Sequence, residues 1–246
     1  MAKPLSSLAP DIERRFAGWV KIQERHVSPA EIKLRPTITL SRQFGCLGFP
    51  LAERLKVLFE EASGEPWNIF DKTLIEMVAK EEGISLGLLK RLGDMSHAIE
   101  AFGLYAPGHV THDKAFDKVA RYLVQIAKLG NAIMVGRGAA ILCKDLRNCY
   151  NFRLIGSHEW RVSTYARRMG LSREEAEAEV IENGERRDKF VSHCLGEDID
   201  NPKFYEAIFN NDRHGVEDIA CAILAFVRNA WEDKRYFRQA ELIAKG

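Results

Sequence analysis

The sequence predicts an α/β fold in which helices flank a central parallel sheet. Short apolar runs typical of buried strands alternate along the chain with stretches of helical periodicity. This order is the one that a parallel sheet with crossover helices requires. The clearest strand is Ala132–Val135, and a helical pattern covers 114–128, where apolar residues recur at helical spacing before Gly130.

The individual elements follow from local patterns. Short apolar or β-branched runs predict strands at Thr37–Leu40, Trp67–Phe70, Ala132–Val135, Asn151–Ile155 and Ala207–Phe209. Amphipathic periodicity predicts helices over 51–61, 85–97, 114–128, 158–168, from 172 into the 180s, and 216–231. Asp71 is a suitable N-cap for one more helix. The Gly, Pro and aromatic content of 102–111 predicts a loop.

Three parts of the chain differ in character. Residues 1–36 form an N-terminal extension, in which 11–26 predicts an amphipathic helix packed on the main domain rather than a membrane or partner helix. Residues 37–230 form the main domain, and its charged segment at about 172–200 is a candidate helical lid. Residues 231–246 form a C-terminal tail.

Composition and charge exclude several function classes. The 246 residues are 46% hydrophobic, and 36 basic residues against 35 acidic ones give a net charge of +1. This balance argues against a general nucleic-acid or membrane binder. No apolar run approaches membrane-spanning length, and the N-terminus shows no signal-peptide pattern, so we expect a cytoplasmic protein.

The cysteine pattern is consistent with that compartment. Five scattered cysteines without a C-x-x-C pair disfavour a disulfide framework or a structural zinc site. They are Cys46, Cys143, Cys149, Cys194 and Cys221.

The segment Ser41–Pro50 lies where a nucleotide-binding fold places its phosphate loop, between the first strand and the first helix. Such loops present backbone N–H groups and a helix N-terminus to the phosphates. Gly45 and Gly48 permit close approach, and Pro50 suits the first helical turn. The alternative is an ordinary strand-to-helix turn. Cys46 is either a thiol activated by the helix N-terminus or a small residue in a tight turn.

A second candidate follows the clearest strand. Arg137 stands between Gly136 and Gly138, beyond the carboxyl end of that strand, where ligands of open parallel sheets bind. An arginine there is suited to bidentate phosphate binding, although a surface arginine in a loop is the alternative.

The charged run 183–189 follows the predicted helix that starts at Ser172. It is either a solvated helix face with ion pairs or a mobile lid whose arginines, Arg186 and Arg187, close over a transferred phosphate. Arg161, Arg167 and Arg168 supply further guanidinium groups upstream.

Other chemistries lack a motif. The seven histidines show no metal-ligand spacing such as H-E-x-x-H, so we predict no metal site formed by the protein alone. The sequence also lacks the G-x-S-x-G elbow of serine hydrolases.

Taken together, an ordered series of segments resembles the cytidylate kinase-like family of P-loop phosphotransferases, over about residues 37–226. The series is Ile38–Gly45, Phe70–Ile75, Val135–Ala139, Glu159–Val162, Gly170–Ala176 and Asn210–Asn211. The resemblance implies a three-layer α/β/α P-loop NTPase-like fold with a central parallel sheet and a helical lid. It also implies ATP with Mg²⁺ as the phosphate donor and a nucleoside monophosphate, typically CMP or dCMP, as the acceptor.

The resemblance assigns roles to single residues. Arg137 would hold the acceptor phosphate, and Arg187 with Arg186 would act as lid cations; these are the catalytic candidates. Asp71 would lie at the mouth of the monophosphate site. The residues assigned to nucleotide and phosphate binding in the loop are Ser41, Arg42, Gly45, Cys46 and Gly48.

The loop departs from the Walker A pattern. Alignment of G-x-x-x-x-G-K-[ST] with Arg42–Phe49 puts Leu47 at the second glycine, Gly48 at the lysine and Phe49 at the magnesium-binding hydroxyl. The family lacks the lysine as well, but usually has a glycine-richer loop followed by arginine. Gly138 replaces the acidic residue with which a true cytidylate kinase reads cytosine.

Three hypotheses therefore stay open. The first is a kinase-like enzyme in which Arg42 partly substitutes for the lysine. The second is a pseudokinase that binds a nucleotide and acts as a regulatory module. The third is an interaction protein that kept only the scaffold. We predict a nucleotide as the partner, and we predict neither nucleic acid nor a membrane as one. The sequence is compatible with a homodimer.

Overall fold

The computed structural model describes residues 34–71, 120, 123–136 and 138–237. The predicted helices at 11–26, after Asp71 and at 85–97, the loop at 102–111 and Arg137 lie outside the described residues. The strands are β1 (Thr37–Arg42), β2 (Asn68–Phe70), β3 (Ala132–Val135), β4 (Cys149–Ile155) and β5 (Ala207–Asn210). The helices are α1 (Gly48–Ser63), α2 (Ala139–Leu142), α3 (His158–Met169), α4 (Arg173–Leu195) and α5 (Val216–Ala230). Short 3-10 helices lie at Pro202–Phe204 and Lys234–Phe237.

The five strands form one sheet in the order β2-β3-β1-β4-β5. Every pairing is parallel, with Leu40 opposite Val135 on one side and opposite Phe152 on the other. The predicted α/β architecture with a central parallel sheet is therefore confirmed. Since all strands run in one direction, their carboxyl ends meet at a single edge of the sheet.

One face of the sheet is apolar. Ile38 and Leu40 of β1 are almost fully buried and belong to the main hydrophobic core, together with residues of α1 and α5. The largest fully buried members of this core include Phe59, Trp67 and Phe152. Side chains alternate between the two faces of a strand, so the residues between these positions point to the opposite side.

The opposite face of β1 carries polar side chains whose hydroxyl groups are hydrogen-bonded. Thr37 donates to the carbonyl oxygen of Ala127 at 2.9 Å, and Thr39 donates to Oδ1 of Asn151 at 2.7 Å. Ala127 lies within the helical residues 123–129, which cover this face. Helices therefore pack on both sides of the sheet. Because each buried hydroxyl has an acceptor, the polar row carries no desolvation penalty from an unpaired group.

The charged helix α4 is longer than predicted. It begins with a capping box between Ser172 and Glu175 and continues through Gly184 to Leu195. The prediction that 183–189 follows the helix is therefore wrong, since that run lies inside it. Ion pairs one turn apart, Arg186 with Glu182 and Lys189 with Glu185, support the helix around the glycine.

Residues after α5 return to the core. Trp231, Tyr236 and Phe237 are all at most 5% exposed and belong to the main hydrophobic cluster. The hydroxyl of Tyr236 donates to Oδ1 of Asn131 at 2.6 Å and accepts from Nε1 of Trp67 at 3.2 Å. The start of the predicted C-terminal tail thus packs next to β2 and β3.

Among the helices in the described ranges, none has both the length and the apolar character needed to cross a bilayer.

Candidate active site

The segment between β1 and α1 lies at the carboxyl edge of the sheet. Residues 43–47 leave β1, and Gln43 N–H continues the strand ladder by donating to the carbonyl oxygen of Leu154 at 3.0 Å. The chain then enters α1 at Gly48. This is the position at which open parallel sheets bind ligands. We call residues 43–48 the phosphate loop.

Backbone N–H groups of the phosphate loop are only partly used. Cys46 N–H donates to the carbonyl oxygen of Gln43 at 3.3 Å, and Gly48 N–H donates to that of Cys46 at 2.9 Å. Within the described part of the chain, the N–H groups of Phe44 and Gly45 donate no hydrogen bond. Unpaired donors next to a helix N-terminus are suited to an anion.

Arg161 of α3 fixes the shape of the phosphate loop. Its Nη1 donates to the carbonyl oxygen of Phe44 at 3.0 Å, and its Nε donates to that of Gly156 at 3.1 Å. Gly45 has φ +94°, and a β-carbon there would lie 2.8 Å from Cβ of Arg161. Glycine is therefore required at this position both by its backbone conformation and by the close approach of α3.

Asn211 fixes the other end of the loop. Its Oδ1 accepts from the N–H of Leu47 at 2.9 Å, and its own N–H donates to the carbonyl oxygen of Ile155 at 2.8 Å. The side chain is 4% exposed, and Nδ2 donates to the carbonyl oxygen of His214 at 3.3 Å. The loop before α1 is thus tied to the ends of both β4 and β5.

The side chain of Arg42 crosses the carboxyl edge of the sheet. A β-carbon on Gly48 would lie 3.1 Å from Cδ of Arg42, and one on Gly136 would overlap Nη1 of the same side chain. Gly136 follows β3 and has φ +80°. The guanidinium therefore lies between the start of α1 and the end of β3. Glycine at positions 48 and 136 leaves room for it, because glycine has no β-carbon.

The two lid arginines have different surroundings. Arg187 reaches the loop, where its guanidinium carbon lies 4.7 Å from the centre of the Phe44 ring and its Nη1 lies 3.4 Å from the carbonyl oxygen of Arg42. Arg186 instead donates to Glu182 of its own helix at 2.6 Å. Of these two residues, Arg187 contacts the phosphate loop and Arg186 is held along α4.

Phe44 anchors the loop on the helical pair α3 and α4. Its ring packs edge-on against Tyr165 of α3, with the ring centres 4.9 Å apart. The ring also belongs to the small apolar cluster that contains Val162, Ala176 and Val180. The predicted lid therefore packs on the phosphate loop at Phe44.

Ser41 belongs to a buried hydrogen-bond chain below the loop. Its Oγ accepts from Nη1 of Arg153 at 2.8 Å and lies 3.2 Å from the Tyr205 hydroxyl, which lies 2.7 Å from the carbonyl oxygen of Ile199. A carbonyl oxygen can only accept, so the phenolic proton points to Ile199. Ser41 therefore donates its own proton to Tyr205, and its hydroxyl has a partner on each side.

Arg153 is the centre of that chain. It is 2% exposed, and its second terminal nitrogen pairs with Asp200 in the segment after α4. Its guanidinium also lies 5.7 Å from the centre of the Tyr205 ring. Arg153 thus connects Ser41 with Asp200, at the end of the predicted lid segment.

Cys46 is a buried thiol rather than an activated one. The side chain is 7% exposed, and burial raises the pKa of the Cys46 thiol to about 11. The positive charges of Arg161, Arg187 and Arg153 act against this shift. Of the two sequence interpretations, the small residue in a tight turn matches the structure.

Asp71 follows β2 and is 9% exposed. Because β3 separates β2 from β1, Asp71 lies at the same edge of the sheet but not beside the phosphate loop. Around the loop itself the structure brings together Ser41, Arg42, Gly45, Cys46, Gly48 and Arg187.

Comparison with known proteins decides the family. The model of the cytidylate kinase-like family matches residues 37–213. This chain belongs to that family. The match includes β1 to β5, the phosphate loop and helices α3 and α4.

Two relatives are named cytidylate kinase. The protein from Pyrococcus horikoshii is 26% identical over 162 residues, which cover 65% of this chain and 74% of the relative. The protein from Thermococcus kodakarensis is 27% identical over 162 residues, covering 63% of this chain and 80% of the relative. A solved structure of an uncharacterised protein from Eubacterium ventriosum superimposes with a TM-score of 0.59 at 14% identity, covering 79% of this chain and 99% of the other. That last likeness concerns the fold alone.

Two residues of this cytidylate kinase-like site were missed by the sequence reasoning. Arg153 and Tyr205 were not singled out, although both lie within hydrogen-bond distance of Ser41. The signal for Arg153 was the alternation in β4, where Asn151 and Arg153 interrupt the apolar Phe152 and Leu154. Polar residues on one face of a buried strand indicate a polar network on that side.

Proposed function

We propose that this chain is a phosphotransferase that moves phosphate from a nucleoside triphosphate to a nucleoside monophosphate of the CMP or dCMP type, or to a similar small acceptor. The observation that carries the proposal is the phosphate loop, which presents the unpaired N–H groups of Phe44 and Gly45 beside the guanidinium groups of Arg42 and Arg187. Membership of the cytidylate kinase-like family and the two relatives named cytidylate kinase support it.

The loop fits the phosphates of ATP. The N–H groups of Phe44 and Gly45 would hold phosphate oxygens, and the helix dipole of α1 adds a partial positive charge at the same place. ATP, when bound, supplies the phosphoryl group. The residues of the chain would orient that group and neutralise its charge, which is the main protein contribution to phosphoryl transfer.

The remaining proposed roles belong to arginines of the lid, to Arg137 and to the end of the second strand. Arg187 would place its charge over the transferred group, since it already contacts the loop; Arg186 would join it only after leaving Glu182. Arg137 would hold the acceptor phosphate, and Asp71 would face the acceptor from the end of β2. We place the enzyme in the cytoplasm.

A second candidate function is a pseudokinase that binds a nucleotide as a regulatory module. The observation in its favour is that Leu47, Gly48 and Phe49 replace the second glycine, the lysine and the hydroxyl of a Walker A loop. Removal of one transition-state contact commonly costs about 10²–10³ in rate, so the loop composition bears directly on turnover.

The experiment is a transfer assay with the full-length chain. ATP is paired with CMP, dCMP, UMP or AMP, and the formation of ADP and of the nucleoside diphosphate is followed. We expect turnover with a pyrimidine monophosphate and a loss of about 10²-fold or more in Arg187→Met. The matched control is Arg147→Met, because Arg147 is exposed and precedes β4 at the opposite edge of the sheet.

The outcomes separate the candidates. ATP binding without turnover for any acceptor would establish the pseudokinase. If Arg187→Met and Arg147→Met lower turnover equally, the result would contradict the assigned role of Arg187. Absence of binding by every nucleotide would leave only the third hypothesis, an interaction protein built on this scaffold.

A further inference from the structure

The phosphate loop lacks the side chain that usually holds magnesium. Mg²⁺ that binds with a nucleotide is held by one or two protein oxygens together with the substrate phosphates. In a Walker A loop one such oxygen is a hydroxyl, and Phe49 stands at its position here. In residues 43–49 the one side chain with an oxygen atom is Gln43, whose Oε1 accepts from the N–H of Gly156 at 3.0 Å. A protein ligand for the ion would therefore come from a neighbouring element.

Asp212 lies on such an element, at the same edge of the sheet. β5 ends at Asn210. Asn211 follows it and accepts from the N–H of Leu47 at 2.9 Å, which fixes the turn after β5 against the phosphate loop. The carboxylate of Asp212 is close enough to the loop to act electrostatically on Cys46.

The two carboxylate oxygens of Asp212 have different surroundings. Oδ2 accepts from the N–H of Ser157, the N-cap residue of α3, at 3.1 Å. Hydrogen bonds from Ser157 lower the pKa of the Asp212 carboxyl, so the group is charged at neutral pH. Oδ1 is shielded from solvent, and among the described residues no group donates a hydrogen bond to it. The contact with α3 therefore accounts for Oδ2 but leaves Oδ1 unexplained.

An unpaired carboxylate oxygen beside a phosphate loop fits a cation. A charged oxygen that has neither water nor a donor is costly, and a bound cation removes that cost. The N–H groups of Phe44 and Gly45, which would hold phosphate oxygens, precede Cys46 in the same loop. An ion at this place would thus have a carboxylate oxygen on one side and phosphate oxygens on the other, which is the ligand set that Mg²⁺ prefers.

We propose that Asp212 supplies, through Oδ1, a protein ligand for the Mg²⁺ that accompanies the triphosphate. The carboxylate would take the place of the hydroxyl that Phe49 replaces. Because Oδ2 stays bonded to Ser157, the ligand oxygen would be held in a fixed orientation. Bound Mg²⁺ supplies positive charge to the phosphate oxygens. This inference rests on the proposed function, because the ion is that of the same nucleotide.

Asp212→Asn is the variant that isolates Oδ1. Asparagine keeps an acceptor for the N–H of Ser157 but has an NH₂ group in place of the second oxygen, and this group does not bind a cation. The matched control is Asp145→Asn, because Asp145 is exposed and precedes β4 at the opposite edge of the sheet. Thermal unfolding verifies that both variants are folded.

The test is calorimetric titration of the full-length protein with ATP at constant ionic strength, once with Mg²⁺ and once with EDTA. We expect the native protein to bind ATP at least about tenfold more tightly in Mg²⁺ than in EDTA. Asp212→Asn should lose most of this preference, while its affinity in EDTA changes by less than about threefold. Asp145→Asn should match the native protein under both conditions.

A second measurement needs no variant. Coupling between two ligands is reciprocal, so the ion should bind the protein–ATP complex more tightly than it binds ATP alone, by the same factor. Mn²⁺ replaces Mg²⁺ in this experiment, because the electron paramagnetic resonance signal of free Mn²⁺ reports its concentration. Equal Mn²⁺ affinities of ATP and of the protein–ATP complex would overturn the inference.

The outcomes of the titrations are distinct. A preference for Mg²⁺ that is the same in the native protein and in Asp212→Asn overturns the inference, while the proposed function stands. An equal loss of affinity in Mg²⁺ and in EDTA overturns it as well, and assigns Oδ1 to an N–H group of the nucleotide. Absence of ATP binding under both conditions overturns the inference together with the proposed function, because the triphosphate site is then missing.

Discussion

The guanidinium carbon of Arg187 lies 4.7 Å from the centre of the Phe44 ring, and this contact joins the lid helix α4 to the phosphate loop. Phe44 simultaneously packs on Tyr165 of α3, so one ring connects the loop with both α3 and α4. The loop is therefore in direct contact with both helices through this ring. Under the proposed function, the contact would bring a cation to the place where negative charge moves in phosphoryl transfer.

The first prediction concerns the energy of that contact. A double-mutant cycle with Phe44→Leu and Arg187→Met should give a coupling free energy of about 0.5–1 kcal/mol in urea unfolding, as for partly exposed cation–π pairs. The control cycle pairs Phe44→Leu with Arg186→Met, because Arg186 binds Glu182 instead. A coupling of the same size in both cycles would contradict a specific contact between Phe44 and Arg187.

The second prediction concerns the backbone under Arg42. Gly136→Ala forces a side chain into a left-handed conformation and into Arg42, so it should destabilise the fold by more than about 1–2 kcal/mol. Gly170→Ala is the matched control, because Gly170 has φ +68° and a β-carbon there meets no atom within 4 Å. In an Arg42→Ala background, Gly136→Ala and Gly170→Ala should lower the free energy of unfolding by similar amounts. Urea denaturation measures each step, and costs that fail to converge would show that Arg42 is not the obstacle.

The third prediction concerns the chain below the loop. Ser41→Ala removes the acceptor of a buried Arg153 nitrogen and should cost about 1–3 kcal/mol of unfolding free energy. Tyr205→Phe removes the acceptor of the Ser41 proton and should cost less, since Ser41 keeps its bond from Arg153. Ser192→Ala on the exposed side of α4 is the control. If Ser41→Ala and Ser192→Ala lower the free energy of unfolding equally, a structural role for the Ser41 hydroxyl is excluded.

The fourth prediction concerns alkaline pH. Burial raises the pKa of the Cys46 thiol from its ordinary value to about 11 in the folded protein. Between these two values the unfolded chain loses its thiol proton while the folded chain keeps it, so stability falls as pH rises. The free energy of unfolding of the native chain relative to Cys46→Ala should therefore drop by about 1–3 kcal/mol from pH 8 to pH 11. A difference that stays constant across this range would contradict the burial of the thiol.

Thiol alkylation provides an independent check on Cys46. At pH 8 iodoacetamide should modify the exposed Cys221 well before the buried Cys46. Peptide mapping by mass spectrometry identifies the order, and equal rates at the two positions would show that the loop opens readily.

The sequence predicted most of the fold because the strands are short apolar runs. β3 matches its predicted bounds, and β1 extends the predicted strand by only Ser41 and Arg42. The end of α4 was missed because Gly184 looks like a helix breaker. A single glycine costs only about 1 kcal/mol in a helix. The pair Arg186–Glu182 spans this glycine and the pair Lys189–Glu185 follows it directly, so both support the helix there.

The candidate site was predictable in position but not in composition. Strand order and glycines located the loop at the carboxyl edge of the sheet, where Arg42 and Gly48 were expected. Arg153 was missed because its partners, Ser41 and Asp200, lie far from it in the sequence.

By itself, the sequence determined the alternation of strands and helices, the place of the phosphate loop and the family of this protein. Periodicity along one element reports which of its faces is buried, and loop glycines report where the backbone must turn tightly. Only the tertiary structure decided that Arg187 faces the loop while its neighbour Arg186 pairs along α4. Adjacent residues on a helix point about 100° apart, so the packing of α4 against the loop selects which of the two arginines reaches it.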